Sequence, residues 1–409
     1  MGWLSYNTAI VLSGTSLLGA VSGLVGSFAV LRRRALTGDA LAHAAFPGLC
    51  IAFLVMQRRH LPGLLLGAFI SGVFGVVLIS GLRRSTRIKE DAAIGIVLSV
   101  FYGGGIVLLS IIEQQTTIGS KAGLKSYILG AAAGMVRSDV MLIGSICVVC
   151  TLLVLLLYKE FKLVSFDPGF AEVQGWPVLA IDLGLMTMVA LTVVIGLPAV
   201  GAVMMAAMLI IPAAAARFWT NRLSLMLTLS AIFGTLTGAL GTLATTRFST
   251  LPAGPTIILV GAFLFLCSML FAPARGLIAS WRRMREFRAV VVRQRVLAEL
   301  FHRPDQTFEK LLKRRSWSGQ KLQTALHALV DAERVVKRDL KYSLTDGGTE
   351  AAKRVVRGIE LWKLFVAENP QLTANFTDLD VENIDEVLPP EVVEQLEVMR
   401  SSASAGSVA

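Results

Sequence analysis

The stretch GDALAHAAFPG, from Gly38 to Gly48, places an aspartate and a histidine four residues apart between two long apolar runs. In a helix, positions i and i+4 lie on the same face, so Asp39 and His43 would point to the same side. Two interpretations are open. The pair binds one divalent cation, or Asp39 caps a helix that starts after the preceding LTG while His43 bonds locally.

The composition changes along the chain, which has 409 residues, of which 54% are hydrophobic and only 16% charged. Residues 1–280 carry 18 Lys or Arg and 9 Asp or Glu, whereas residues 281–409 carry 21 and 19. Soluble domains average about 25% charged residues. The change predicts a transmembrane domain at 1–280, a cytoplasmic domain at 281–400 and a disordered tail at 401–409.

Nine apolar stretches approach the length of about 20 residues that crosses a bilayer as a helix. They lie at roughly 8–31, 41–57, 62–82, 92–112, 139–158, 177–197, 199–216, 222–246 and 255–274. A shorter apolar stretch at 127–136 would lie on the outer side. The sequence thus predicts an all-α polytopic membrane protein with about nine transmembrane helices, followed by a smaller α+β domain.

Basic residues orient these helices, because cytoplasmic loops carry an excess of Lys and Arg. With nine spans, the basic segments Arg32–Arg34, Arg83–Lys89, Tyr158–Lys162, Arg217–Arg222 and Trp281–Arg288 all fall on one side. That side would be the cytoplasm, with Gln57–His60 as the exception. We therefore expect the N-terminus outside and the C-terminus in the cytoplasm.

The segment LRRRALTGDALAHAAFPGL (Leu31–Leu49) resembles the signature of permeases from the zinc/manganese/iron ABC importer family, the ABC-3 type. Further segments resemble that family in the same order, at Ile88–Ser110, Lys159–Val178, Ala199–Thr220 and Leu251–Val260. The resemblance implies a multi-pass permease in a bacterial inner membrane that moves Mn²⁺, Fe²⁺ or Zn²⁺. It also implies that Asp39 and His43 coordinate the transported metal and that no cofactor is bound permanently.

The energy source is expected on another chain, because the sequence contains no G-x-x-x-x-G-K-[ST] nucleotide loop. The chain itself would then be a transporter subunit and not an enzyme. In the segment Lys159–Val178, a short amphipathic helix at Asp167–Val173 would insert into a groove of an ATPase subunit. The candidate coupling residues are Asp167, Phe170, Ala171 and Gly175, the last of which would end the helix. The alternative is an ordinary solvated loop.

The resemblance implies further partners besides the ATPase subunit. An extracytoplasmic metal-binding protein would deliver the ion, and a second permease chain, identical or related, would complete the pore. Membrane lipid would surround the spans.

The C-terminal segment Arg295–Arg357 predicts three helices followed by two short strands, the order of a winged helix with Ser318–Ala332 as its DNA-reading helix. It resembles the iron- and manganese-dependent repressors. However, Ile359 and Lys363 stand where that family binds metal on its long helix, and Asp385 and Glu386 replace its later Glu-His pair. Lys321 is the only basic residue in the reading helix. We therefore expect a regulatory or assembly module, with nucleic acid an unlikely partner.

Two other functional classes compete with the metal permease. A membrane-anchored, metal-responsive transcription regulator would need fewer than nine spans for its anchor. A siderophore or iron-chelate permease would have a wide pore without metal ligands. The tail's resemblance to repressors favours manganese or iron over zinc as the cargo.

Overall fold

The computed structural model describes residues 6–57, 60–114, 130–248, 251–314, 318–368, 382, 384 and 388–406. By its internal contacts the chain forms two units, Met1–Ala279 and Ser280–Ala409. The division falls where the apolar composition ends. Each unit has its own hydrophobic core.

The first unit is helical throughout its described part, with one 3-10 turn at Ala132–Gly134. Its long apolar runs form helices because they lack charge and are bounded by basic or Gly- and Pro-containing loops. The helices are α1 (Tyr6–Leu31), α2 (Ala35–Met56), α3 (Leu61–Ser85), α4 (Glu90–Gln114), α5 (Arg137–Leu156), α6 (Tyr158–Phe166), α7 (Pro168–Val173), α8 (Val178–Val200), α9 (Ala202–Arg217), α10 (Leu223–Arg247) and α11 (Ala253–Phe271).

Eight of these helices have the length and apolar composition to cross a membrane, within the described residues. The prediction of nine spans differs at α9, which has 16 residues and a length of about 24 Å at 1.5 Å per residue. A bilayer core is about 30 Å thick. The chain reverses between α8 and α9 at Gly201, whose φ of +94° is open to glycine but strained for other residues. α9 is therefore a shorter helix that returns alongside α8.

The interface between α1 and α10 relies on small residues at helical spacing. A Cβ atom built on Gly234 would lie 1.9 Å from the carbonyl oxygen of Gly19, and one built on Gly23 would lie 2.2 Å from the carbonyl of Ser230. Ser230 Oγ donates to the Gly23 carbonyl at 2.6 Å. Helices in membranes associate through such close contacts and inter-helix hydrogen bonds, because lipid provides little hydrophobic driving force between them.

The same pairing shows that α1 and α10 are antiparallel, since residues later in α10 face residues earlier in α1. The start of α10 therefore lies near the end of α1. α9 also ends on this side, where the backbone N–H of Arg275 donates to the carbonyl of Phe218. The basic loops thus gather at one face of the first unit, which we call the basic face.

The stretch predicted as an outer apolar segment, 127–136, lies partly outside the described residues. In its described part, the backbone N–H of Ala131 donates to the carbonyl of Pro198 near the end of α8. Gly130 lies against Val200 with a φ of +80°. This segment therefore packs at the face opposite the basic face.

The second unit combines helices with a small antiparallel sheet of order β1-β3-β2. Its elements are α12 (Leu277–His302), β1 (Gln306–Thr307), α13 (Phe308–Arg314), α14 (Gly319–Asp331), β2 (Val335–Arg338), β3 (Lys341–Leu344), α15 (Asp346–Glu368) and α16 (Pro390–Gly406). Strands β2 and β3 form a hairpin in which Val335 faces Leu344 and Arg338 faces Lys341. The helices and strands follow the order expected from the sequence.

Three details of the second unit differ from the expectation. α12 is longer than the predicted helix, because it begins at Leu277 and includes the basic segment. The predicted reading helix Ser318–Ala332 is shorter, because α14 covers only Gly319–Asp331 and Ser318 makes no capping hydrogen bond. The final helix runs to Gly406, into the stretch expected to be a disordered tail.

Candidate metal site and coupling elements

Asp39 and His43 both lie inside α2. The helix begins at Ala35, and the residue at the capping position is Arg34, whose side chain makes no capping hydrogen bond. Asp39 is the fifth residue of the helix, so the interpretation of Asp39 as a helix cap is wrong. Its carboxylate therefore lies beyond the first turn of the helix, on the face that it shares with His43.

The geometry of the pair suits two ligands of one ion. Asp39 Oδ1 and His43 Nε2 lie 3.6 Å apart, which is too long for a hydrogen bond. Two atoms that bind one ion at about 2.0–2.2 Å, at angles of about 90–110°, lie roughly 2.8–3.6 Å apart. The observed separation is thus at the upper end of the range for two ligands of one divalent cation.

The surroundings of the pair leave one side open. The side chain of Asp39 is 38% exposed and that of His43 is 14% exposed in the single chain. The ring of Tyr102, from α4, packs edge-on against the imidazole of His43 with a centroid distance of 4.8 Å. No group of three or more His, Cys, Asp or Glu suited to a metal occurs in the described part of the chain.

Neighbouring helices hold α2 closely and so fix the pair. Ser71 Oγ from α3 donates to the carbonyl of Ala44 at 2.6 Å. A Cβ atom on Gly48 would lie 2.2 Å from the Gly67 carbonyl, so α2 and α3 pack with backbones in contact. Phe46 on α2 packs against Gly105 of α4. Asp39 and His43 therefore lie on a helix that is closely packed against its neighbours, which favours a defined geometry for the pair.

A cluster of charged side chains lies just before α2, at the basic face. Asp182 of α8 is buried and forms ion pairs with both Arg32 and Arg34. Arg34 NH1 donates to the two carboxylate oxygens of Asp182 at 2.6 and 2.8 Å. Glu90, at the start of α4, forms an ion pair with Arg34 Nε at 2.5 Å and accepts from Arg83 NH1 at 3.1 Å. We call these five residues the arginine–carboxylate cluster.

Burial lowers the pKa of the Arg32 guanidinium, while the charge of Asp182 opposes that effect. The ion pair and hydrogen bonds from Asp182 thus compensate the removal of Arg32 from water. A buried charge without such compensation would cost several kcal/mol. Asp182 is therefore the acceptor that permits two arginines to be buried at this turn.

Asp182 is a functional candidate that the sequence analysis missed. It is the one acidic residue in the apolar run from 178 to 200, and an ionisable residue in such a run is expensive enough to be informative. Glu90 lies at the start of a helix, where a carboxylate also suits the helix dipole. The ion pairs of Glu90 with two arginines could not be read from that position alone.

The predicted coupling helix is present as α7. Asp167 caps it, because Asp167 Oδ1 accepts from the backbone N–H of Phe170 at 2.9 Å. Gly175 follows with a φ of +84°, and the backbone N–H of Trp176 donates to the carbonyl of Ala171 at 3.0 Å. The helix predicted at Asp167–Val173 thus spans Pro168–Val173, with Asp167 as its cap instead of its first residue and Gly175 just after its end.

One face of α7 packs on its own chain and the other is exposed. Ala171 is fully buried, whereas Phe170 is 50% and Val173 is 88% exposed. Phe166 and Trp176, on either side of the helix, are also exposed. The segment therefore presents apolar side chains on the basic face, with Ala171 seating the helix.

The residues singled out in the tail lie in the second unit. Ile359 is half-buried and Lys363 exposed on α15, and Lys321 lies on α14. Asp385 and Glu386 lie outside the described residues. A different set of residues holds α15 to α16: Leu361 and Leu396 are buried between them, and Arg400 pairs with Glu360 at 2.9 Å.

Comparisons with known proteins agree on one family. The sequence profile described as the ABC 3 transport family matches residues 6–272. The manganese transport system membrane protein MntC of Bacillus subtilis is 40% identical over 397 residues, which is 95% of this chain and 91% of that protein. The zinc transport system membrane protein TroC of Treponema pallidum is 44% identical over 281 residues, which is 68% of this chain and 94% of that protein.

A solved structure is also similar to this chain. PsaBC from Streptococcus pneumoniae, in complex with a Fab, is similar with a TM-score of 0.59 and 30% identity. The likeness covers 66% of this chain and 94% of that one. The alignment with the Bacillus protein is longer than the first unit, so it extends into the second unit as well.

Proposed function

The chain belongs to the ABC 3 transport family, and from that premise we propose that Asp39 and His43 bind the transported ion and that this ion is Mn²⁺. The protein is a multi-pass permease subunit of an ABC importer for a divalent metal, and a separate ATPase subunit hydrolyses the ATP. Zn²⁺ is the second candidate, because the relative from Treponema is named for zinc. Fe²⁺, which the tail's resemblance had favoured, is named in neither of these two relatives.

The observation that carries the proposal is the 3.6 Å separation of Asp39 Oδ1 and His43 Nε2 on one helix face. A carboxylate suits Mn²⁺, and an imidazole suits several divalent transition metals. Two protein ligands leave coordination positions empty. The open side of the pair would be completed by the same two residues of a second permease chain or by water, and a loosely completed site suits an ion that must leave again.

The test replaces each ligand and measures uptake of radiolabelled Mn²⁺ into proteoliposomes that contain the permease, its ATPase and its binding protein. Asp39→Ala and His43→Ala should each abolish uptake, because neither leaves a usable ligand pair. Asp139→Ala is the matched control, since the half-buried Asp139 lies at the start of α5, where it accepts from the backbone N–H of Val136 and from Ser138 Oγ. Uptake that survives in both ligand variants would contradict the assignment.

Cargo identity is tested in the same vesicles by competition. Unlabelled Mn²⁺ should suppress labelled uptake at a lower concentration than unlabelled Zn²⁺ or Fe²⁺ does. Stronger suppression by Zn²⁺ would instead make this a zinc permease. The ligand variants decide the site, and the competition decides the metal.

We further propose α7 as the dock for the ATPase subunit. Its exposed Phe170 and Val173 are supported on a short, capped helix whose other side is buried. Insertion of such a helix into a partner's groove depends on its apolar side chains. Asp167 and Gly175 would fix the helix ends, Ala171 would seat it, and Phe170 would contact the partner.

For the second unit we propose a winged-helix-like module that serves regulation or assembly. The order of its helices and its β2–β3 hairpin support this likeness. Ile359 cannot bind a metal, and the positive charge of Lys363 would repel one. Lys321 is the only basic residue within α14, which does not favour a role in binding phosphates.

A further inference from the structure

The arginine–carboxylate cluster lies between the two elements assigned above, the α7 dock and the metal pair. We propose that Asp182 and Arg34 are positioning residues that transmit the displacement of α7 to α2 and so couple ATP hydrolysis to metal movement. The inference rests on the proposed function of the dock and of the pair. Neither residue needs to touch the ion or the ATPase.

The first step joins α7 to Asp182 through a short, bonded stretch of chain. Ala171 is fully buried, and its carbonyl accepts from the backbone N–H of Trp176. Trp176 in turn accepts from the N–H of Val178, the first residue of α8. Asp182 follows one turn later. A displacement of α7 is therefore transmitted to the first turn of α8 through a short, hydrogen-bonded connection.

The second step crosses from α8 to α2 through the ion pair. The side chain of Asp182 is 6% exposed and that of Arg34 is 10% exposed. Arg34 uses NH1 for both oxygens of the carboxylate. Charge-assisted hydrogen bonds of this kind are strong when shielded from water. Because Arg34 directly precedes Ala35, a shift of Asp182 pulls on the first turn of the helix that carries Asp39.

The third step uses the forked shape of the guanidinium. While NH1 of Arg34 binds Asp182, its Nε binds Glu90 at the start of α4. α4 also carries Tyr102, whose ring packs on His43. One arginine side chain therefore connects α8 to both helices that shape the metal pair. A lysine keeps the charge but is a single point of contact and cannot reach both carboxylates in this way.

The packing around the cluster leaves room for such a shift. Arg34, Arg83 and Glu90 border a small cavity that also touches Thr37 and Ser80. The hydroxyl of Thr37 is buried there without a hydrogen-bond partner in the described structure. An unsatisfied buried hydroxyl is unfavourable and gains a partner if a neighbouring polar side chain moves. A polar side chain of the cluster that moved into this cavity would give the Thr37 hydroxyl a partner.

The experiment measures metal taken up per ATP hydrolysed, in proteoliposomes containing the complete transporter. Arg34→Lys should lower that ratio at least tenfold while the complex still assembles and hydrolyses ATP, because the bridge is lost but the charge is kept. Asp182→Asn should also lower the ratio. Asp182→Glu, which keeps a carboxylate, should give a ratio between those of Asp182→Asn and the unchanged protein. Asp139→Asn changes a half-buried carboxylate outside the cluster; it is the matched control and should leave the ratio unchanged.

An unchanged ratio in both Arg34→Lys and Asp182→Asn would overturn the proposal. So would an equal loss of uptake and ATP hydrolysis, which would indicate a general structural role. If Asp182→Asn fails to assemble because two arginines lose their partner, Arg34→Lys decides. Failure of both variants to assemble would assign the cluster to folding instead of coupling. Asp39→Ala, measured in parallel, separates this outcome from failure of the proposed metal site, since it removes uptake without altering the cluster.

Discussion

Gly234 determines how closely α1 and α10 approach. Its Cα faces the backbone of Gly19, and any side chain there would meet a carbonyl oxygen at 1.9 Å. The contact is backbone against backbone, so the neighbour cannot turn away as the end of a flexible side chain would. The residue identity at this one position therefore sets the distance between two spanning helices.

We expect Gly234→Val to destabilise the permease, because the added side chain must force α1 and α10 apart. Overpacking of a close-packed interior costs roughly 1–3 kcal/mol, sometimes more. The thermal unfolding midpoint of the purified chain in detergent should fall by several degrees. Gly81→Val is the matched control, since Gly81 lies in α3 with nothing near its Cβ position. Equal shifts in the two variants would show that helix propensity, and not the interface, explains the loss.

The three arginines that follow α1 show which features of single residues could be predicted from the sequence. Arg33 adopts a left-handed φ of +59° and is exposed, whereas Arg32 and Arg34 turn inward to Asp182. The sequence predicted a basic loop at the cytoplasmic side but not which arginines are buried. The position of Asp39 and His43 on one helix face could be predicted because the two residues are only four positions apart. Asp182 was missed because its partners lie about 150 residues away.

At the level of helices and turns, the signals that were local gave correct predictions. The helix predicted at Asp167–Val173 and ended by Gly175 matches α7 within one residue, since a left-handed glycine acts over a few residues. α9 was harder to predict. Its apolar run reads as a full span, but the reversal at Gly201 shortens it, and that turn depends on packing against Val200 and Gly130.

The role of α7 can be tested by its apolar face. Phe170→Glu should abolish co-purification of the permease with its ATPase, because a charge would have to be buried in the partner's groove. Gly175→Pro should weaken it too, since proline cannot adopt the φ of +84° that ends the helix. Phe170→Leu, which keeps an apolar side chain, is the control and should still co-purify. A stable complex with both disruptive variants would place the dock elsewhere on the basic face.

The molecule as a whole has a helical membrane unit and a second unit of helices with a small antiparallel sheet. Composition predicts such a division because a bilayer and water impose different limits on charge. Composition does not predict how the helices pack within the membrane unit. That packing depends on contacts such as those of Thr15 with Gly238 and Ser230 with Gly23, which join residues more than 200 positions apart.

The position of the basic face predicts how the chain is oriented in the membrane. Arg32, Arg83 and Arg217 lie at the ends of α1, α3 and α9, and the pairing of helices brings these ends to one side of the membrane unit. Cytoplasmic loops are the ones enriched in Lys and Arg. If the eight long helices and α9 all cross the membrane, the number of crossings is odd and the two ends of the membrane unit lie on opposite sides.

We therefore expect a reporter that is active only in the cytoplasm to function when fused after Ala409 and to be silent when fused before Met1. The same reporter inserted between Lys159 and Glu160 should be active, because that position lies on the basic face. A reporter that is active only outside the cytoplasm should give the opposite pattern at all three positions. Activity of the cytoplasmic reporter at both ends would mean that α9 does not cross the membrane, since eight crossings would return the chain to the side where it began.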